Sequence, residues 1–285
     1  MKHVRKVRTR RGGMIRSLIR YVFIAGIAAI CLFPLLFLFC TSFMSRQDVT
    51  TYYHGGVIQL KLFPDMASLS QYYQAFFGDS QFLRALGNSF LIVGAITVGQ
   101  TAIAFITAFA MEVYPFRGRN ILFSVYVILA LIPYQVMEAP QAILANQLHM
   151  NGTYGAVILP QVFSAFGICL LRMFMRYMPK DTLEAARLDG CGEFDVLLRV
   201  ALPQSLPMIS AVAFLIFLDA WNMVEAPLIF LSEVDKQPLS VRLPAMESLP
   251  SIFCYSLVFL LPPVVFFMKC SDHLRNMVSM AMPKS

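Results

Sequence analysis

Several signatures of self-sufficient chemistry are missing from this chain. It has no G-x-x-x-x-G-K-[ST] stretch, so no phosphate-cradling loop for ATP is present. Its six cysteines (Cys31, Cys40, Cys169, Cys191, Cys254, Cys270) form no C-x-x-C pair and mostly sit in apolar runs, as small core hydrophobes do, which argues against metal ligands or disulfides. His3, His54, His149 and His273 are scattered and make no H-E-x-x-H. No catalytic residue, no metal site and no cofactor held by this chain is expected, and no internal repeat or low-complexity segment is evident. Charge is scarce as well. Asp, Glu, Lys and Arg make up 14% of 285 residues, where soluble domains carry about a quarter, and that excludes an ordinary soluble globule.

What fills the space is apolar: 58% hydrophobic residues, with 25 Phe and 17 Met. A helix needs roughly 20 mostly apolar residues to cross the hydrocarbon core. Six runs meet that requirement, at about Leu18 to Thr41, Leu86 to Ala110, Ile121 to Ala145, Tyr154 to Met175, Leu206 to Leu231 and Leu249 to Met268. The expected class is an all-α integral membrane protein with six transmembrane helices. Ala104 and Ala108 give the second run a small-xxx-small step for close helix packing. Pro133, Pro160 and Pro227 each free a carbonyl and predict kinks inside spans.

The first sixteen residues carry Lys2, Arg5, Lys6, Arg8, Arg10, Arg11 and Arg16 and no acid. These seven charges match the whole chain's net of +7, since the remaining basic and acidic residues cancel. They read as a topology determinant held on the cytoplasmic side rather than a nucleic-acid arm. The apolar run that follows is too long for a cleavable signal and lacks a small-x-small site, so it is expected to stay. With the N-terminus inside, the Arg117/Arg119 loop, the polar stretch from Arg172 to Ser205 and the C-terminus all fall in the cytoplasm. The loops at Ser42 to Arg84, His149 to Thr153 and Ser232 to Ser248 fall outside. The reading is therefore a basic cytoplasmic tail at 1–17, a transmembrane domain at 18–270 and a cytoplasmic tail at 271–285, in a multi-pass protein of the cell (inner or cytoplasmic) membrane. The pairs Tyr52-Tyr53, Tyr72-Tyr73 and Phe76-Phe77 in the long outer loop suit a membrane interface or, less directly, an external partner.

The polar segment at about 172–205 interrupts this pattern. Pro179 stops the preceding helix, Asp181 is placed to cap a new one, and Glu184 three residues later is placed as the acid of a capping box. Gly190 and Gly192 close that helix, and Glu193 to Leu202 predicts a second one before Pro203. Phe194, Leu197, Leu198 and Ala201 share one face of it by spacing. Two roles for this pair stand side by side: packing on the protein's own spans, or docking on a partner. A DNA-binding helix-turn-helix is excluded by charge, because Lys180 to Pro203 holds three basic and five acidic residues.

The segment reads Glu184-Ala185-Ala186, three residues, Gly190, nine residues, then Val200-Ala201-Leu202-Pro203. It resembles the EAA loop of the permease subunits of binding-protein-dependent ABC importers, with Val200 where the pattern has Ile. Asn88-Ser89, Tyr114 to Arg119, Ile132 to Val136, Gly152 to Tyr154, Leu159-Pro160, Trp221-Asn222 and Pro227-Leu228 are similar to the carbohydrate-type, MalG-like permeases over roughly Leu62 to Leu243. Ser271 to Ser285 resembles them poorly. The resemblance implies a permease subunit forming half of a translocation pathway for a sugar, oligosaccharide or polyol. It implies that Glu184, Ala185, Ala186, Asp189, Gly190, Leu202 and Pro203 couple to a separate ATPase. It also implies as partners a second, MalF-like permease, two ATPase subunits that use ATP and Mg, and an extracellular or periplasmic solute-binding protein, in membrane lipid and without nucleic acid.

Acids within apolar stretches carry a further expectation. Glu138, Asp219 and Glu225 cost at least roughly 2.5 to 3.5 kcal/mol each by insertion scales unless they face water or a partner. Asp219, Trp221, Asn222 and Glu225 lie at spacings that suit one helix face, lining a path for hydroxylated solutes or marking the outer end of a span or a seam with a second subunit. The same acids would serve an ion-coupled secondary transporter, which leaves the 172–205 spacing unexplained. An ABC permease for a non-sugar solute fits the same pattern of spans and loop, and a non-transporting membrane scaffold fits the spans alone.

Overall fold

The computed structural model describes residues 10–53, 61, 63–245 and 249–281. Lys2, Arg5, Lys6 and Arg8 of the basic tail, His54 and Lys284 lie outside the described residues. Among the described residues every regular element is helical: α1 (Arg10–Ser42), α2 (Arg46–Tyr53), α3 (Ser70–Tyr73), α4 (Ser80–Val113), α5 (Arg119–Leu131), α6 (Tyr134–Gln147), α7 (Tyr154–Val162), α8 (Ala165–Met175), α9 (Asp181–Leu188), α10 (Glu193–Asp195), α11 (Leu202–Trp221), α12 (Glu225–Phe230), α13 (Leu239–Arg242) and α14 (Leu249–Ala281). Five helical stretches among the described residues are long and apolar enough to cross a membrane, or six if the bent α5–α6 pair counts as one.

The spans depart from expectation in three places. The run from Ile121 to Ala145 is not one helix: α5 and α6 meet at 96°. Pro133 breaks rather than kinks, because it sits just before α6 with extended backbone and forces Ile132 into the same region. The run from Leu206 to Leu231 is divided as well. One helical stretch runs without a gap from Glu193 to Trp221 and stops there, and Pro227 lies in the short separate α12. Finally, the last helix passes the expected boundary at Met268 and continues to Ala281.

Two compact units divide the chain, residues 1–75 with 248–257 and residues 76–247 with 258–285. In the first, α1 exposes an apolar row from Leu18 to Leu36 that suits hydrocarbon, while Thr41, Ser42, Met44 and Val49 are buried. Tyr72 donates its hydroxyl to Ser42 Oγ at 2.7 Å and its ring meets Phe43.

In the second unit α4 is the central post, packed against α7, α8 and α11. Ile92, Ile96, Ala104, Ala108 and Met111 are buried along it. The small-residue step works as the spacing predicts. A Cβ placed on Gly167 of α8 would lie 3.1 Å from the Ala104 Cβ and 3.3 Å from Ile216 Cδ1, so three helices converge where glycine and alanine leave room. Gly99 of α4 meets Val162 of α7 just as closely.

Candidate functional site

The polar helix pair begins one residue earlier than its sequence suggests. Lys180 already has helical backbone, so Asp181 lies inside α9 and caps nothing, and no capping box forms. Thr182 Oγ1 donates to the Pro179 carbonyl at 3.1 Å, and Gln204 Nε2 donates to Thr182 Oγ1 at 3.0 Å, which ties the root of α9 to the start of α11. Asp181 and Glu184 remain in the first turn, where their charge opposes the positive end of the helix dipole.

α9 ends as glycine dictates. Gly190 takes φ +86°, the Cys191 amide donates to Ala186 O at 3.0 Å and the Gly190 amide to Arg187 O at 3.1 Å, the paired bonds of a Schellman termination. Gly192, by contrast, has φ −67° and precedes α10 as its N-cap. Across the turn Arg187 donates two bonds to the Glu193 carboxylate, at 2.9 and 3.0 Å. Tyr114, just past α4, donates its hydroxyl to the same carboxylate, and its ring stands 5.8 Å from the Arg187 guanidinium. Arg187 first and Tyr114 second hold the Glu193 carboxyl below its ordinary range, and Glu193 in turn raises the Tyr114 hydroxyl.

The second helix does not stop at Pro203. Residues Val196–Ala201 form a π-helical turn that continues directly into α11, with Pro203 in its first turn, where a missing N–H costs little. The wider π turn also breaks the expected apolar face. Ala201 and Val196 are fully buried, Leu197 is half-buried, and Phe194 and Leu198 project outward. Leu188 is 89% exposed and Phe194 73% exposed. Glu184, Ala185, Asp189, Gly190 and Pro203 are exposed too, whereas Leu183 is buried and Ala186 and Leu202 are partly so. The pair therefore presents a mixed polar and apolar surface that the other described residues leave uncovered.

The acids of the apolar stretches are divided by the same helix breaks. Trp221 closes α11 and is buried at 1% exposure, its indole N–H donating to Phe259 O at 3.1 Å and its ring stacked on Phe217 and Phe259. Asn222 is the C-cap and turns back to Leu218 O, and Glu225 opens α12. The shared helical face expected for Asp219, Trp221, Asn222 and Glu225 is therefore not formed: the helix ends between them. Asp219, Asn222 and Glu225 are exposed, while Trp221 is a core residue of the chain. Glu225 instead accepts a bond from Gln135 Nε2 of α6 at 3.0 Å, and Glu138 lies one turn further along α6, half-buried.

Sequence reasoning missed the link from α4 to the helix pair. Tyr114 was legible only as the first residue of the Tyr114 to Arg119 stretch that the resemblance rests on, and nothing in linear spacing connects it with Glu193.

A bundle of this kind, with apolar spans packed around α4 and an exposed polar helix pair between the stretch that ends at Met175 and the one that ends at Trp221, is that of a multi-pass membrane permease. The family described as "Binding-protein-dependent transport system inner membrane component" matches residues 100–269. The chain belongs to that family and is the permease subunit of an ABC importer, not an enzyme. It is 30% identical over 248 residues, 85% of this chain and 88% of the relative, to the arabinooligosaccharides transport system permease protein AraQ of Halalkalibacterium halodurans. It is 28% identical over 254 residues, with 85% and 88% covered, to the sn-glycerol-3-phosphate transport system permease protein UgpE of Escherichia coli. Its fold matches a chain of a solved bacterial ABC transporter involved in import of the acidic polysaccharide alginate, with a TM-score of 0.80, 19% identity, and 93% of this chain and 98% of that one covered.

Proposed function

We propose that this permease passes a sugar, oligosaccharide or polyol, forms half of the translocation pathway, and is driven through the segment at 172–205 by a separate ATPase that uses ATP and Mg. The substrate class rests on the relatives, whose names specify arabinooligosaccharides and sn-glycerol 3-phosphate, and on an alginate transporter of the same fold. A second structure of the alginate transporter includes a periplasmic protein bound to an alginate pentasaccharide, which supports a soluble binding protein as partner. A second, MalF-like permease and two ATPase subunits complete the assembly.

The observation that carries the coupling reading is the exposure of Glu184, Ala185, Leu188 and Phe194 on a helix pair closed by the Gly190 turn and the Arg187–Glu193 ion pair. Large apolar side chains on an otherwise polar surface fit an amphipathic helix seated in a partner's groove. Closure of the ATPase pair would move the helix pair as a lever and tilt α8 and α11, to which it is joined. With the helix pair on the ATPase side of the membrane, both termini are assigned to the cytoplasm as well. Asp219, Asn222, Glu225 and Glu138 are assigned to the pathway as hydrogen-bonding groups for solute hydroxyls, with Trp221, buried among Phe90, Phe217 and Phe259, as a structural support rather than a stacking surface. Co-purification tests the coupling: the ATPase is retained by the unaltered chain and lost with Glu184→Lys or Gly190→Pro while membrane insertion persists. Retention at full level with both variants would overturn the assignment.

A further inference from the structure

The helix pair is joined through the backbone to α8 and α11 only, yet the residues that close α4 touch both of its halves. Glu112 sits in the last turn of α4 with its side chain 10% exposed. One carboxylate oxygen lies 3.4 Å from Lys180 Nζ at the root of α9, and the other lies 3.7 Å from Arg172 Nε in the last turn of α8. Arg172 is equally buried, its guanidinium 4.0 Å above the Phe123 ring, and its Nε and Nη1 have no hydrogen-bond partner among the described residues. Arg119 donates to the Glu112 carbonyl at 3.5 Å from the start of α5. Two residues further on, Tyr114 donates to Glu193, which is itself held by Arg187.

Glu112 and Arg172 are both buried, and leaving either charge uncompensated there is costly; Lys180, its side chain 52% exposed, reaches the same carboxylate from the wet side and contributes less. Glu112 thus joins the end of α8 to the root of α9 through Lys180, and Tyr114 holds the turn between the two helices of the pair. These contacts lie on opposite sides of the Gly190 turn, so the pair cannot rotate about its backbone attachments without breaking one of them.

We propose that the C-terminal end of α4 is a non-covalent clamp on the coupling pair, with Glu112 and Tyr114 as positioning residues that make α4 move together with the pair when the ATPase acts. This rests on the coupling reading above. α4 is the post against which α7, α8 and α11 pack, so a displacement delivered to its end reaches the whole second unit rather than the two covalently joined helices alone.

Spin labels test it in the complex of the permease with its ATPase, one at Arg117→Cys beyond α4 and one on the native Cys191 beside the turn, both exposed positions, the five other native cysteines being replaced by Ala or Ser. The probe is Mg-ATP with orthovanadate. In the otherwise unaltered chain the label-to-label distance stays the same with and without the trapped nucleotide. With Tyr114→Phe, which removes one hydroxyl and keeps the ring, or with Glu112→Gln, the distribution broadens and its mean shifts on trapping, while the ATPase remains bound. A distance that already changes in the unaltered chain, or variants as narrow and as static as it, would overturn the clamp. Should Glu112→Gln fail to assemble, Tyr114→Phe alone decides. If the unaltered chain holds no ATPase, or holds it equally with Glu184→Lys, the coupling reading itself has failed instead.

Discussion

Arg187 and Glu193 face each other across the Gly190 turn in a two-bond ion pair, 2.9 and 3.0 Å, that makes one body of two short helices. Neither side chain is buried, so the pair adds little to the stability of the fold: exposed ion pairs contribute about 0 to 1 kcal/mol. Its effect falls on the angle between α9 and α10, the feature that a rigid groove on the proposed ATPase would recognise. Arg187→Ala is expected to leave the melting temperature within a few degrees of the unaltered chain and to weaken ATPase binding, read as dissociation constants on immobilised permease. Equal binding would mean that the angle between the helices is set elsewhere.

The same pair predicts the pH range of coupling. Arg187 and Tyr114 lower the Glu193 carboxyl relative to its ordinary value of 4.5. A depressed carboxyl stays ionised above its unfolded value, and its contribution is lost only as pH falls through the lower, folded one. ATPase binding is therefore expected to show no titration attributable to Glu193 between pH 8 and about 5. A Glu193-dependent loss of binding near pH 6, absent in Glu193→Gln, would contradict the geometry.

Gly190 and Gly167 are required for different reasons and separate in mutagenesis. Gly190 holds φ +86° with open space around its Cα, so Gly190→Ala costs about 1 to 2 kcal/mol of backbone strain while Gly190→Asn costs less. Gly167 has an ordinary backbone but no space, with Ala104 and Ile216 at its Cα. Gly167→Leu overpacks the junction of α4, α8 and α11 and costs on the order of 1 to 3 kcal/mol or more. The midpoint of thermal aggregation of detergent-solubilised protein is expected to fall further for Gly167→Leu than for Gly190→Ala, and only Gly190→Ala is expected to weaken ATPase binding at a temperature where both variants are folded.

Glu225 links α6 and α12 through Gln135, just past the α5–α6 bend in the third span and the end of α11 in the fifth. Glu225→Leu and Asp219→Leu are expected to lower uptake by about tenfold with the ATPase still bound, through loss of hydrogen-bond acceptors along the path. Unchanged uptake and unchanged ATP hydrolysis in both variants would remove them from the pathway.

Much of this architecture is legible in the chain because hydrocarbon imposes a length rule that few sequences satisfy by accident. The first, second and last long helices follow from apolar run length, and the turn at Gly190 follows from its place between two short amphipathic segments. Three things were hidden. A proline at a span's middle signals a disturbance without saying whether the helix kinks or breaks, and Pro133 breaks it by 96°. The π turn at Val196–Ala201 carries no spacing signature, so Phe194, Leu198 and Ala201 looked like one face and are not. Trp221, read as a polar-path residue from its neighbours Asp219 and Asn222, is drawn inward by three aromatic rings supplied by α4, α11 and α14.

The most direct test uses purified components in sealed vesicles. The two permease subunits are reconstituted with the ATPase and the binding protein and given a panel of labelled oligosaccharides, and uptake is compared with and without Mg-ATP and with and without the ATPase subunits. Uptake that requires both the nucleotide and the ATPase, and that Glu184→Lys abolishes, is the predicted result. Accumulation of solute by the permease with no nucleotide-hydrolysing subunit present would contradict the account.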